Sequence, residues 1–495
     1  LKKQILKLLV DLKKKNGTTY LFISHDMAAV KAVCDRIMVM YLGNILEILP
    51  SADAETLHPY TQALMAATLE PDPTVRREKK VLFKEDGAQI IPKAGCVFQS
   101  RCLYAREKCT CQRPELEEVS DGHFVACHYI KKEKHMNINA PLSIRRRMGL
   151  EIFRRLENER TEEHQLKQLF WECTLRCNLH CRHCGSDCKK IAGHPDMPKE
   201  DFLRVLDSVS AQNDPHKIFV IITGGEPLMR KDLEECGRAI YERGFPWGMV
   251  TNGLYMTRER LNGLLDAGLH TATVSLDGFA TDHNWMRGNP QSFERAVEAI
   301  KLMVQVPDFV FDVVTCVNKH SYMRLEELKD FLISLGVKGW RLFTIFPVGR
   351  AAKDPELQLS NEEFRGVMEF IRKSRKEGRI HVSYGCEGFL GNYEAEVRDT
   401  FFACRAGISV GSVLIDGAIS ACPSIRADYH QGNIYENDFM EVWNHRFKPY
   451  RDREWMKKDE CADCKYFRFC KGNGMHLRDE NGDLLFCHLK RLQTP

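Results

Sequence analysis

The stretch Trp171-Glu172-Cys173-Thr174-Leu175-Arg176-Cys177-Asn178-Leu179-His180-Cys181-Arg182-His183-Cys184-Gly185-Ser186 decides the reading of this chain, because Cys177, Cys181 and Cys184 stand in a CxxxCxxC run. Three thiolates at this spacing close around one iron–sulfur cube and leave its fourth iron without a protein ligand, and that bare iron is a site of reaction. Soft sulfur ligands favour Fe–S, Zn or Cu(I), whereas a structural zinc site takes four protein ligands, usually as two close pairs. A lone triplet therefore argues for an open cluster, with buried or zinc-binding cysteines as the plain alternative. About forty residues on, Gly224-Gly225-Glu226-Pro227 ends an apolar, β-rich segment.

Outward from that stretch, strand-like runs alternate with helical ones. The strands fall at Leu169 to Cys173, Ile218 to Thr223, Gly248 to Thr251, Thr271 to Leu276, Phe309 to Val317 and Trp340 to Phe346. Helical patterns between them cover Asp201 to Val209, Asp232 to Glu242, Arg258 to Asp266, Phe293 to Val304 and Leu325 to Leu335. Strands separated by helices predict βα units and a parallel α/β sheet, as a partial barrel or a doubly wound sheet. In such sheets ligands bind beyond the carboxyl ends of the strands, and every motif here falls at such an end. Gly224 and Gly225 lack side chains there, which is expected to let backbone groups approach a ligand.

The cysteine triplet and the GGEP run together resemble the radical S-adenosylmethionine (SAM) superfamily, over roughly Gln165 to Val382. That resemblance selects a partial (β/α)6 TIM-type barrel and makes Cys177, Cys181 and Cys184 the catalytic residues, ligands of a [4Fe-4S] cluster. It implies that the open iron is chelated by the amino and carboxylate groups of SAM and that an electron from the reduced cluster breaks the sulfonium C–S bond. The resulting 5′-deoxyadenosyl radical abstracts hydrogen from substrate. By the same resemblance, the backbone of Gly224, Gly225 and Pro227 with Glu226 receives the SAM amino group, and His183 contacts adenine. Asn252, in the Thr251-Asn252-Gly253 turn, closes the third strand. Ser275 and Asp277 face the ribose hydroxyls, and Arg287 pairs with the SAM carboxylate. The plain alternatives are that Ser275 and Asp277 cap the next helix and that Arg287 makes a surface ion pair. Cys173, Cys188, Cys236 and Cys316 show no spacing of their own and read as packing residues.

The tail carries Cys404, Gly417, Cys422, then Cys461, Cys464 and Cys470 in CADCKYFRFCKGNG, and finally Cys487. This arrangement resembles the SPASM extension of peptide- and protein-maturing enzymes, whose seven cysteines carry two auxiliary clusters. Cys461, Cys464, Cys470 and Cys487 keep a full set for the second cluster, with a zinc ribbon as the alternative. Gly474 stands where the pattern expects a cysteine. The first site then retains only Cys404 and Cys422, so that cluster is absent or completed from elsewhere, with Cys386 as the candidate.

At the front, Leu1, Ile5, Leu8, Leu9 and Leu12 keep helical spacing up to Gly17, a C-cap. Thr19 to Ser24 reads as a buried strand. The segments TYLFISHD, DRIMVMYLGNILE and LHPYTQAL resemble the last third of the ATP-binding subunit of oligopeptide and dipeptide ABC importers, and the resemblance implies a truncated α/β fragment of such an ATPase. His25 sits where that family places its switch histidine. No GxxxxGK[ST] loop occurs in the sequence, so ATP is a ligand only if a partner completes the site. Cys96, Cys102, Cys109 and Cys127 match the importer subunits' C-terminal extension, where four cysteines hold an iron–sulfur cluster; zinc satisfies the same ligands.

The expected domains are 1–75 (ATP-binding fragment), 76–134 (Cys-rich extension), 135–164 (linker), 165–384 (radical SAM core) and 385–495 (SPASM). A start at Leu1, and Met136 or Met148 as a native start codon, suggest two neighbouring genes joined in one frame, or a charged linker between true domains. Hydrophobic residues at 43%, charged residues at 28% and a net charge of +4 describe an ordinary globular chain and give no case for nucleic acid. Twenty cysteines without a signal peptide point to a reducing, anaerobic cytoplasm. No apolar run approaches the roughly eighteen residues that span a bilayer, although the front fragment would lie at the inner membrane if it joined a transporter. The expected partners are a peptide or protein substrate, a flavodoxin- or ferredoxin-type electron donor and peptide ABC transporter subunits. The rival functions are a peptide-transport ATP-binding fragment and a radical SAM enzyme acting on a small molecule such as a haem precursor.

Overall fold

The computed structural model describes residues 2–52, 54, 56–66, 92, 94–120, 122–128, 140–385 and 387–494. The chain divides into two compact units, Leu1–His135 and Met136–Pro495.

In the first unit the opening helix, Lys2–Asn16, stops at Gly17, whose φ of +64° suits the residue that follows a helix. The expected buried strand at Thr19 to Ser24 does not form, and Leu21 and Ile23 are 92% and 88% exposed. A strand exists only as part of a paired ladder, and none of the described strands runs beside this segment. Strands β1 (Ile37–Tyr41), β2 (Asn44–Leu49), β3 (Glu117–Ser120) and β4 (His123–Val125) form an antiparallel sheet in the order β1-β2-β4-β3. The buried Glu47 fastens it: its carboxylate accepts from Leu57 N at 2.7 Å and His58 N at 3.1 Å, and bonds His123 Nε2 at 2.8 Å. The Cys-rich extension is thereby stitched to the β1–β2 hairpin.

In the second unit β5 (Gln168–Thr174), β6 (Phe219–Gly224), β7 (Trp247–Thr251), β8 (Leu269–Ser275), β9 (Val310–Val317), β10 (Gly339–Thr344) and β11 (His381–Tyr384) lie side by side in chain order, each parallel to its neighbours. All six strands expected from the sequence are present, and β11 adds a seventh. Helices cross between them and bury one stripe each. Lys199–Ser210 buries Phe202, Val205, Leu206 and Val209, and Trp171 of β5 stacks on Phe202 with ring centroids 4.6 Å apart. Asn361–Glu377 opens with a Ser360/Glu363 capping box and ends at Gly378 with φ +67°.

The barrel stays open. The free edge of β5 takes β12 (Val410–Val413) in parallel, with β13 (Ala418–Ser420) and β14 (Gly432–Asn433) following antiparallel. The Cys-rich tail thus continues the core sheet, and its loops reach the same end of the strands as the motifs.

Candidate active site

The structure brings Cys177, Cys181, Cys184, His183, Gly224, Gly225, Glu226, Asn252, Ser275 and Arg287 together around one cavity of about 350 Å³ at the carboxyl ends of β5 to β8. Backbone contacts hold the cysteine loop in place. Cys177 N donates to Lys189 O at 2.8 Å, Arg182 N to Met286 O at 2.8 Å and His180 N to Arg287 O at 3.3 Å. Arg350, from the loop after β10, donates from Nε to Cys181 O at 2.7 Å.

The two glycines serve this loop. A Cβ on Gly224, at φ +140°, would stand 2.1 Å from Thr174 O, and one on Gly225 would stand 2.3 Å from Arg176 O. Gly225 N and Glu226 N donate to those same carbonyls at 2.7 and 2.9 Å. The missing side chains admit the backbone that leads into Cys177, where the sequence reading had a ligand approaching.

Glu226 is 1% exposed. Its carboxylate accepts from Thr251 Oγ1 and Asn252 N at 2.7 Å each and from Leu228 N at 3.2 Å. Burial still pushes its carboxyl up to about 7 against the pull of those donors. Pro227 opens the short turn that Glu226 caps. Asn252 Nδ2 reaches Asn178 Oδ1 at 2.7 Å, tying the third strand to the cysteine loop.

Neither plain alternative for Asp277 and Arg287 holds. The helix Ala280–Arg287 has Phe279 at its N-cap and no side-chain cap, so Ser275 and Asp277 do not cap it. Arg287 is buried, not on the surface: its Nε donates to Asp277 Oδ2 at 2.6 Å and its Nη1 approaches Cys181 Sγ at 3.7 Å. Asp277 also accepts from Cys316 N at 3.0 Å. Asp277, His183 and Cys316 each bring a ligand-type atom within 4.8 Å of the others.

The donor set fits an iron–sulfur cluster. Three soft thiols line one cavity, and the adjacent His183 Nδ1 is buried without a partner. Burial, then the Arg287 charge, keep that ring neutral by lowering its pKa to about 4. Burial drives the Cys177 thiol up to about 12, whereas a hydrogen bond with Cys188 outweighs burial at Cys184 and lowers it to about 5. A metal cluster supplies the counter-charge that such thiolates need.

Sequence reasoning missed four contributors. Cys188 packs among the triplet, and its only signal was its position four residues past Cys184. Phe346, Arg350 and the Pro423–Arg426 loop of the tail line the cavity by long-range folding, which no local pattern announces.

Elsewhere the cysteines also gather. Cys470 lies within charge-repulsion range of Cys487, Cys461 and Cys464, and burial raises its thiol first. Asn473 N donates to Cys470 Sγ at 3.2 Å and Arg478 Nη2 to Cys461 Sγ at 3.4 Å. Cys404 and Cys422 both flank the buried Tyr450. At Gly474 a Cβ would meet His476 Cε1 at 2.6 Å and Glu387 O at 2.9 Å, so the cysteine the pattern expects would need the His476 ring and the Glu387 carbonyl to shift. Cys386 lies outside the described residues. In the first unit Cys109, Cys127 and Cys102 all act on Cys96, whose thiol burial lifts to about 11. His25 is exposed, ahead of the Asp26-capped helix Met27–Val33, and belongs to that unit.

Residues 171–332 match the radical SAM superfamily, residues 404–465 the iron–sulfur cluster-binding SPASM domain, and residues 47–109 the C-terminal region of oligopeptide/dipeptide transporters. Residues 171–332 and 404–465 are thus a radical SAM domain and a SPASM domain, and these domains imply [4Fe-4S] clusters and SAM. It is 27% identical over 337 residues to the AdoMet-dependent heme synthase of Methanosarcina barkeri, covering 64% of this chain and 93% of that protein. A putative peptide import ATP-binding protein of Brucella ovis is 47% identical over 126 residues, covering 25% of this chain; the chain spans 40% of that relative's length. Streptococcus suis SuiB bound to S-adenosylmethionine superposes with a TM-score of 0.51 at 19% identity, covering 63% of this chain and 75% of that one. Native anSMEcpe with bound AdoMet and Cp18Cys peptide gives a TM-score of 0.52 at 18% identity, covering 66% and 95%. These structures share the fold. No helix among the described residues is long and apolar enough to cross a membrane.

Proposed function

We propose that Cys177, Cys181 and Cys184 hold an open [4Fe-4S] cluster and that SAM binds in the cavity beside it, to modify a peptide or protein by hydrogen abstraction. Together the cluster and SAM supply the 5′-deoxyadenosyl radical chemistry. Glu226, held rigid by its three donors, takes the SAM ammonium, and Gly224, Gly225 and Pro227 shape its turn. His183 meets adenine through its orphaned ring nitrogen. Ser275 and Asp277 take the ribose hydroxyls, and Arg287 takes the carboxylate while neutralising Asp277. The carrying observation is that groups from four strand ends converge with the three thiols on one cavity.

A peptide suits that cavity better than a polyanion. Its three arginines are already ion-paired, Arg287 with Asp277, Arg350 with Asp187 and Arg426 with Glu172. Arg287 is assigned to the SAM carboxylate, and Arg350 and Arg426 each already face a carboxylate of this chain, which disfavours a haem precursor's carboxylates there. The tail residues Pro423, Ser424 and Arg426 line the same cavity. The second reading, a haem-precursor enzyme, draws on the heme synthases, of which this chain covers most of the length. Dithionite-driven 5′-deoxyadenosine release separates them. Stimulation by host extract that protease treatment destroys supports the peptide reading, and stimulation by iron tetrapyrroles alone supports the other.

Cys461, Cys464, Cys470 and Cys487 hold one auxiliary cluster in this scheme, and the Cys404/Cys422 site stays empty unless Cys386 completes it. Cys96, Cys102, Cys109 and Cys127 form a structural Fe–S or zinc site in a unit derived from a peptide importer ATPase. ATP at His25 needs a phosphate loop from a transporter partner. A flavodoxin or ferredoxin in the cytoplasm delivers the electron.

A further inference from the structure

The stretch expected to be a linker forms the helix Ile144–Glu163, and this helix has two faces. One face is docked on the second unit. Leu150 is buried there with Phe389, Phe402 and Leu489, and the Phe153 ring meets Phe401 edge to face with centroids 5.6 Å apart. Arg146 pairs with Glu396 at 2.8 Å and Arg405 with Glu157 at 3.2 Å. The other face turns to solvent and carries Ile144, Met148, Ile152 and Leu156, which are 78%, 61%, 61% and 45% exposed. Residues four apart lie one above the other on a helix, so these four make a continuous apolar stripe, and such a stripe marks a contact surface. The charges on this helix oppose its dipole. Arg145, Arg146 and Arg147 occupy the first turn, where no acidic residue stands, and Glu162 and Glu163 occupy the last. Both placements disfavour a helix that stands alone.

We infer that this stripe seats a second copy of the chain, whose own helix Ile144–Glu163 lies antiparallel across it about a two-fold axis at Ile152. In an antiparallel pair, residues equally far from the axis on opposite sides face each other. Met148 then meets the partner's Leu156, and Arg145 meets the partner's Glu159. Arg145 and Arg147 are exposed near the start of the helix, and Glu159, Glu162 and Glu163 are exposed near its end. A parallel partner would set like charges together, whereas an antiparallel one sets arginine against glutamate and brings each helix end the opposite dipole it lacks. The patch is self-complementary, as a two-fold contact requires. An anionic bilayer or a nucleic acid would suit the arginine end and be repelled at the glutamate end. The contact is one helix wide, at the small end of specific interfaces, so the dimer is reversible, with a dissociation constant on the order of micromolar.

The test is sedimentation velocity of the full chain, purified anaerobically, over a dilution series that spans the micromolar range, with circular dichroism as the check on folding. The expected result is a wild-type dimer that dissociates on dilution and an Ile152→Glu variant that is monomeric throughout, because it places two carboxylates on the axis. Arg145→Glu and Glu159→Arg should each weaken the dimer by about tenfold or more, and the double variant Arg145→Glu/Glu159→Arg should recover it, since the exchange restores opposite charges across the axis. If Ile152→Glu fails to fold, the charge exchange decides. A wild-type chain that is monomeric at every concentration overturns the inference, as does a dimer that Ile152→Glu leaves intact. Failure of the double variant to recover what the single ones lose overturns the antiparallel pairing. Flotation of the wild-type chain with phosphatidylglycerol vesicles that Ile152→Glu abolishes would assign the stripe to a bilayer and overturn it too.

Discussion

Arg287 Nε donates to Asp277 Oδ2 at 2.6 Å, and the two side chains are 8% and 0% exposed. Burial, the largest influence, would raise the Asp277 carboxyl, yet Arg287, His183 and His283 with the Cys316 N–H together outweigh it and hold the group at about 2. Removing one partner of such a pair leaves an uncompensated buried charge, which costs about 3–5 kcal/mol. We expect Arg287→Met to lower the melting temperature sharply and Arg287→Lys to lower it less, by thermal unfolding of the purified protein. Because the folded pKa lies below the unfolded value of about 3.9, the pair's contribution is present above that pH and fades as pH falls toward about 2. Asp277→Asn should flatten that acid limb.

Glu226 has the opposite sign. Its carboxyl rises to about 7, mainly by burial, above an unfolded value of about 4.3. Its contribution to stability is therefore full below the unfolded value and is lost as pH climbs through about 7. An ammonium seated on the carboxylate offsets that loss. We expect the rise in melting temperature on adding SAM to grow between roughly pH 6 and pH 8 in wild type and to be flat in Glu226→Gln, as ligand linkage requires.

Gly225→Ala tests the loop contact without touching a thiol. Its Cβ would stand 2.3 Å from Arg176 O, and overpacking of this kind costs about 1–3 kcal/mol. We expect lower iron occupancy at the SAM-sensitive cluster by EPR spin counting, while the auxiliary signal keeps its intensity. Equal loss at both clusters would mean general unfolding.

The remaining cysteines divide by metal count. Cys464→Ser should remove one cluster's worth of iron, and Cys96→Ser one metal site from the first unit, without abolishing 5′-deoxyadenosine release in the latter. Cys422→Ser should leave the iron count unchanged, because Gly474 stands where that site lacks a cysteine; a loss of iron would instead show that Cys386 completes it. Elemental analysis of the three variants checks this.

Most of the six core strands were legible because a β-branched or aromatic run stands before a helix with a clear apolar stripe, as Ile218 to Thr223 does before Leu233–Glu242. The motifs were legible for a related reason: cysteine, glycine and acidic residues interrupt those runs at strand ends. What depended on distant pairing was not. The strand β12 is four residues long and gains its identity from Gln168 to Trp171 across the sheet. Thr19 to Ser24 had the composition of a strand without a neighbour to pair with. Gly224 and Gly225 were read as ligand-facing because a sequence shows that a side chain is missing and not what fills its place.

The most direct test of the account is EPR and nucleoside analysis of anaerobically purified protein, wild type against Cys181→Ala. The account predicts that wild type shows a reduced-cluster signal that shifts on adding SAM and releases 5′-deoxyadenosine under dithionite, and that Cys181→Ala loses both. Wild-type protein carrying only zinc at this site, or undiminished 5′-deoxyadenosine release from Cys181→Ala, would contradict it.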